Sequence, residues 1–170
     1  FLQTRPEVDG ARVAVLGHSF GAAVAVYAAG VDERLAACVS CGGWGDGEKK
    51  FREQHASDEA WKKFTDMMAE GRRRLALGET MMVPRYDIVP IPEKLRNHVL
   101  KGSIIQMPVD TAQSMYDFTA EDVIGRIAPR PVLLLHSDEA GARLIDEFDT
   151  GFDLLWAERR DQFQATIVRD

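Results

Sequence analysis

Along the chain, hydrophobic positions follow two alternating patterns. Short runs of consecutive apolar residues read as buried strands: residues 12–16, closed by Gly17; residues 35–40, ending before the breaker pair Gly42-Gly43; residues 131–136; and residues 163–168. Between these runs the apolar positions recur at helical spacing. Phe20 to Gly30 reads as a helix of small residues, with Gly30 as its C-terminal stop. Between residues 142 and 160, Leu144, Ile145, Phe148, Phe152, Leu155 and Trp156 fall mostly at helical spacing. Strands that alternate with helices are the mark of βαβ units, so the fold class is α/β with a mostly parallel sheet.

The middle of the chain breaks this alternation. Ser57 is placed to cap a helix whose first turn carries Asp58 and Glu59 and whose apolar stripe is Trp61, Phe64, Met67 and Met68. Gly78 is its stop. A stretch punctuated by Pro84, Pro90 and Pro92 follows, then a further helical start near Asp110. Thr119 and Asp122 read as a capping box for a helix leading to Pro129. The chain thus divides into residues 1–43 (core strand, tight turn, helix and strand), a helical insertion at 44–118, and residues 119–170 (core helix, strand, helix and strand). The three segments form one domain, and the insertion is placed to act as a cap over a binding site.

Length and charge narrow the classes of function. The chain has 170 residues, 45% of them hydrophobic, which is a normal domain's worth of core. Twenty-one Lys and Arg against 27 Asp and Glu give a net charge of −6, without the basic footprint of a nucleic-acid binder. No apolar run reaches the ~18 residues of a membrane span. Two cysteines rule out a disulfide scaffold and suit a reducing compartment, so a cytoplasmic setting is expected. The chain opens at Phe1, so no targeting segment is legible.

The chemistry concentrates in Gly17-His18-Ser19-Phe20-Gly21. A chain of this composition would contain a G-x-S-x-G match about 0.04 times by chance, and here a buried strand precedes the match and a small-residue helix follows it. That setting is what a nucleophile elbow needs. The serine sits on a strained turn at the carboxyl edge of the sheet, and Gly17 and Gly21 let strand and helix approach without a Cβ clash. The backbone N–H of Phe20, at the helix N-terminus, is aimed where a developing oxyanion would form.

With these residues the chain resembles the α/β-hydrolase superfamily over most of its length. Within it the likeness is to the dienelactone hydrolases, CocE-type acyl hydrolases and S9/S15 peptidases. The Asp46-Gly47 turn, the Arg72–Arg74 helix and the run Ile127-Ala128-Pro129-Arg130-Pro131-Val132-Leu133-Leu134-Leu135-His136 carry the rest of the resemblance. It implies a serine hydrolase of ester or amide bonds working through an acyl-enzyme, with no cofactor and no metal. Ser19 is the implied nucleophile. The implied acid follows the strand after the insertion: Asp138 first, with Glu139 and Asp46 as alternatives. In similar hydrolases the acid often stands slightly further on, where this chain has Ala140.

A base is harder to place among four histidines. His18 lies inside the elbow, as a pocket wall or packing group. His55 and His98 lie in segments of the insertion that read as solvated or capping, and His136 ends a strand. The resemblance puts the catalytic histidine just after the last strand, beyond Asp170, and several strands before the elbow. Residues 1–170 are therefore read as the C-terminal part of a longer hydrolase. Alone, this part is expected to be inactive and to expose an unpaired apolar strand edge.

The expected partner is a small-molecule ester or amide, with neither nucleic acid nor membrane, and self-association is left open. Two other readings stand beside the esterase: a serine peptidase of the same fold and a non-catalytic binding protein. Cys38-Val39-Ser40-Cys41 spans a strand end instead of opening a helix and reads as two small core residues. Arg72-Arg73-Arg74 reads as a solvated helix face, and Gly45-Asp46-Gly47 as a turn with no phosphate-binding sequel.

Overall fold

The computed structural model describes residues 1–98, 102–136 and 165–169. They form two compact units, one from residues 1–46 and 119–170 and the other from residues 47–118. The insertion read as 44–118 thus begins as a separate unit at Gly47. Trp44, Gly45 and Asp46 stay with the sheet: Trp44 stacks on Phe20, Gly45 O accepts from the Ala120 and Glu121 amides, and Asp46 bridges Thr119.

The first unit is built on a parallel sheet of β1 (Ala14–His18), β2 (Ala37–Cys41), β5 (Val132–His136) and β6 (Ala165–Arg169), in the order β1-β2-β5-β6. All four strands coincide with apolar runs in the sequence to within a few residues. Continuous apolar runs suit parallel strands, which are covered on both faces. The expected helix between β5 and β6 lies outside the described residues. Among the described strands β1 stands at one end of the sheet, and its Leu16 is 69% exposed.

Helix α1 (Phe20–Val31) connects β1 to β2 and packs on both. Its buried face is Ala22, Ala23, Ala25, Val26 and Ala29, small enough to bring the helix axis close to the sheet. Gly30 is not the stop. The helix continues to Val31, and a Cβ on Gly30 would lie 2.5 Å from the Val123 carbonyl oxygen, so this glycine admits the short helix α6 (Glu121–Ile124). Thr119 and Asp122 do not form the expected capping box either: Thr119 Oγ1 donates to the Asp122 carboxylate at 2.5 Å, and neither residue caps α6 through its side chain.

Arg130 holds this end of the unit together. Its guanidinium donates to the carbonyl oxygens of Ala29 (2.8 Å), Leu35 (2.9 Å), Asp32 (3.0 Å), Arg126 (3.1 Å) and Ile127 (3.1 Å). The last turn of α1, the loop into β2 and the turn into β5 thereby converge on one side chain. No other residue type offers five donors in a rigid plane.

The second unit contains α2 (Gly47–Gln54), α3 (Asp58–Leu75), a two-stranded antiparallel ribbon of β3 (Met82–Pro84) and β4 (Gln106–Pro108) flanking α4 (Arg85–Ile88), and α5 (Val109–Tyr116). Ser57 caps α3 by accepting from the Ala60 amide at 3.1 Å, as its position in the sequence implies. Beyond the other end, Gly78 takes φ +78° while Glu79 N–H reaches Arg74 O and Gly78 N–H reaches Leu75 O. That pair of bonds is a Schellman motif, which requires a left-handed residue at this point. Phe64 and Met68 of the predicted stripe are buried, and Phe51, His55, Trp61, Phe64 and Tyr116 form an aromatic cluster in the core of this unit.

Candidate active site

The site is assembled at the carboxyl edge of the sheet. In register, Gly17 lies opposite Ser40 and His18 opposite Cys41, so β1 and β2 end together there. Ser19 follows at φ 57°, ψ −125°, and is the one non-glycine residue with positive φ among those described. This backbone region is sterically costly for any residue with a Cβ and persists only where its surroundings impose it. Here they do so from both sides. Ser19 N–H donates to Cys41 O at 2.9 Å, and Ser19 O accepts from Ala22 N–H at 2.9 Å inside the first turn of α1.

The two glycines of the pentapeptide differ. A Cβ on Gly17 would stand 1.8 Å from Gly21 O and 2.7 Å from Ala22 N, so the strand-to-helix reversal is open to glycine alone at that position. At Gly21 a Cβ would meet no described atom within 4 Å, so the close approach expected there is not found. Close packing is supplied instead by Gly43, where a Cβ would meet Ser40 Oγ at 2.8 Å and the Ala22 Cβ at 2.9 Å.

Ser19 is exposed, and its Oγ has no hydrogen-bond partner among the described residues. Phe20 opens α1 directly after Ser19, so the positive end of the helix dipole lies beside the serine, and no acidic side chain stands in that first turn. The Phe20 ring lies parallel to buried Trp44, with centroids 5.2 Å apart and planes 15° apart. Trp44 lies in no motif of the sequence. The available signal was an aromatic residue directly after a glycine pair at a strand's carboxyl end, the usual place for ligand-facing loops in α/β sheets.

Of the acids, Asp138 and Glu139 lie outside the described residues. Their strand, β5, pairs with β2 and ends at the same edge as β1. Being two strands away, it ends about 10 Å from the end of β1, at ~4.8 Å per strand. Asp46, the third candidate, is half-buried in its bridge to Thr119.

Among the histidines, His18 is exposed at the end of β1. His55 is not on a solvated segment: it is 6% exposed, stacked on Phe64 at 4.4 Å, with Nδ1 2.9 Å from Phe51 O and Nε2 3.2 Å from Asp87 O. Both of its ring nitrogens face backbone carbonyl oxygens of the second unit.

Other sequence features find structural roles. Arg73 and Arg74 pair with Glu70 and hold its carboxyl down to about 2, while Arg72 donates to Gln113 at 2.7 Å. Cys38 is buried, and burial pushes its thiol up to about 11, unlike a redox cysteine. The second unit also has a hollow of about 180 Å³ lined by His55, Phe64, Met67, Tyr86 and the ion pair Lys63–Asp87. The histidine and the ion pair that line it are already engaged within the unit. No helix among the described residues is long and apolar enough to cross a membrane.

A parallel sheet in which β1 turns through a strained serine into a small-residue helix, with a helical unit inserted in the chain between β2 and β5, has the arrangement of an α/β-hydrolase fold. Among solved structures the chain is similar to DcsB in complex with its substrate analogue, with a TM-score of 0.70 and 17% identity over 98% of this chain and 58% of that one. It is likewise similar to the α/β hydrolase GrgF from Penicillium sp. sh18, with a TM-score of 0.64 and 17% identity over 98% and 58%. A hypothetical protein from Pseudomonas aeruginosa matches with a TM-score of 0.68 and 19% identity over 99% and 56%. The chain thus spans somewhat over half the length of these structures, and the likeness is one of fold. No protein-family profile and no curated sequence matches it.

Proposed function

We propose that the protein is a serine hydrolase of ester or amide bonds. The observation that carries this reading is Ser19 at φ 57°, ψ −125°, exposed between β1 and α1 of an α/β-hydrolase fold. In this reading Ser19 Oγ attacks the carbonyl carbon of the substrate and gives its proton to a histidine oriented by Asp138. The Phe20 N–H donates to the resulting oxyanion. Collapse of the tetrahedral species expels an alcohol or amine, which takes the proton from the histidine and leaves an acyl group on Ser19. Water then attacks the acyl carbon and gives a proton to the histidine, which passes it to Ser19 Oγ as the acyl–oxygen bond breaks and the carboxylic acid leaves. None of these steps draws on a metal or cofactor.

The test is a fluorophosphonate probe applied to the protein at its natural length. Covalent labelling of Ser19, located by peptide mass and absent from Ser19→Ala, is the expected result. Folded protein that leaves the probe unreacted would overturn the hydrolase reading in favour of a binding protein on the same fold.

A further inference from the structure

Protein interiors leave few gaps larger than a water molecule, yet the second unit keeps a hollow of about 180 Å³ between α3 and α4. The elements around it are held at fixed spacing. His55, just past the end of α2, faces Phe51 O with Nδ1 at 2.9 Å and Asp87 O of α4 with Nε2 at 3.2 Å. From α3, Lys63 pairs with the Asp87 carboxylate at 2.7 Å. Asp87 thus ties α4 both to the end of α2 and to α3. The neighbouring Tyr86 ring is covered by the Arg96 guanidinium, 4.4 Å from its centroid. With α4 anchored on two sides, the hollow exists before any ligand arrives. It also reaches the surface, because Ala60, Met67 and Tyr86 on its lining are only half-buried.

We propose that this hollow is a binding site for a neutral, monocyclic hydroxy-aromatic molecule, of which phenol is the simplest. Size sets the first limit. An apolar cavity of ~150 Å³ takes up benzene, so about 180 Å³ holds one six-membered ring with a small substituent. The walls set the second. Ala60, Phe64 and Met67 lie along one face of α3 at helical spacing and, with Tyr86 and Pro90, offer carbon, sulfur and ring surface to an aromatic ligand. The ion pair sets the third. A carboxylate on the ring would be opposed by Asp87 and an ammonium by Lys63. A hydroxyl suits both, since it accepts from the ammonium, which has three protons, and donates to the carboxylate, which has lone pairs to spare. The proposal stands apart from the chemistry at Ser19 and does not rest on the hydrolase reading.

The experiment titrates the protein at its natural length with phenol in a calorimeter. One saturable site is expected, with a Kd of about 0.1–1 mM, the scale open to a ligand of so few atoms. Benzene, which lacks the hydroxyl, should bind about fivefold more weakly. Benzoate and benzylammonium, each opposed by one member of the ion pair, should bind at least about tenfold more weakly than phenol. Ala60→Leu and Met67→Trp fill the hollow from two positions on α3, and each should abolish the site in folded protein. Lys63→Met, at a side chain 71% exposed, keeps the test open if neither filling variant folds; it should bring phenol down to the affinity of benzene. No saturable phenol binding up to about 20 mM would overturn the proposal. So would phenol affinity unchanged in a folded filling variant or in Lys63→Met, or benzene, benzoate or benzylammonium binding as tightly as phenol. Labelling of Ser19 is read separately, so failure of either proposal leaves the other standing.

Discussion

The strained backbone at Ser19 sets stability against chemistry, and two substitutions measure by how much. Ser19→Ala and Ser19→Gly both remove the hydroxyl, which has no hydrogen-bond partner among the described residues and sits at an exposed position. Neither creates a cavity, so the two variants differ only in the Cβ. A non-glycine residue at φ 57°, ψ −125° carries strain of about 1–3 kcal/mol. Glycine relieves that strain but loses about 0.5–1 kcal/mol through the greater freedom of the unfolded chain. The glycine variant should therefore be more stable than the alanine variant by about 1 kcal/mol, or roughly 2–4 °C in Tm for a domain of this size. Urea unfolding monitored by tryptophan fluorescence, with equal m-values as the condition for comparison, reads the difference directly. An alanine variant as stable as the glycine variant would refute the argument, because the turn would then impose no cost on a Cβ and the elbow would be an ordinary reversal.

Two other perturbations follow from the packing. Arg130→Met keeps the aliphatic stem but removes the guanidinium from five backbone carbonyls, of which Asp32 O and Ile127 O keep a backbone N–H donor; because the site is only half-buried, water recovers part of the loss, and we expect a destabilisation of about 3 kcal/mol in chemical denaturation. Arg130→Lys should regain less than half of it, since a compact ammonium cannot span the five oxygens, and a lysine variant matching wild type would contradict the clamp. Lys50 is buried in the second unit and burial lowers its pKa to about 8, whereas the unfolded lysine stays near 10.5. Below about pH 8 both states hold the proton and the folded state bears the cost of a buried charge; between 8 and 10.5 the unfolded state binds more protons, so stability rises with pH, by up to about 3 kcal/mol. Measured against Lys50→Met across pH 7 to 10.5, wild type should close its stability deficit as pH rises, and a constant difference would exclude this account.

Much of the fold was legible because the signals were local. Four apolar runs became four parallel strands. Ser57 and Gly78 marked the two ends of one helix through the backbone groups they satisfy or the φ they permit. Gly17-His18-Ser19-Phe20-Gly21 announced a strained turn, since only a glycine at the first position lets strand and helix reverse within van der Waals distance. Local signals also misled where a partner distant in sequence decided the outcome. Gly30 has the look of a helix stop, but its missing side chain makes room for Val123, over ninety residues away. His55 sits in a polar stretch, yet Phe64 and the Asp87 carbonyl enclose it.

What the sequence determined by itself is the alternation of strands and helices, the two ends of α3 and the strained turn at Ser19, because each depends on neighbours within a few residues. Tertiary structure alone decided the strand order β1-β2-β5-β6, which brings the end of β5 within two strands of Ser19. It also decided that Trp44 rests on Phe20 and that Arg130 gathers carbonyls from α1, the loop into β2 and the turn into β5. These are contacts between segments tens of residues apart. They form only when burial of the apolar faces brings those segments together, and no periodicity along the chain encodes which of them will meet.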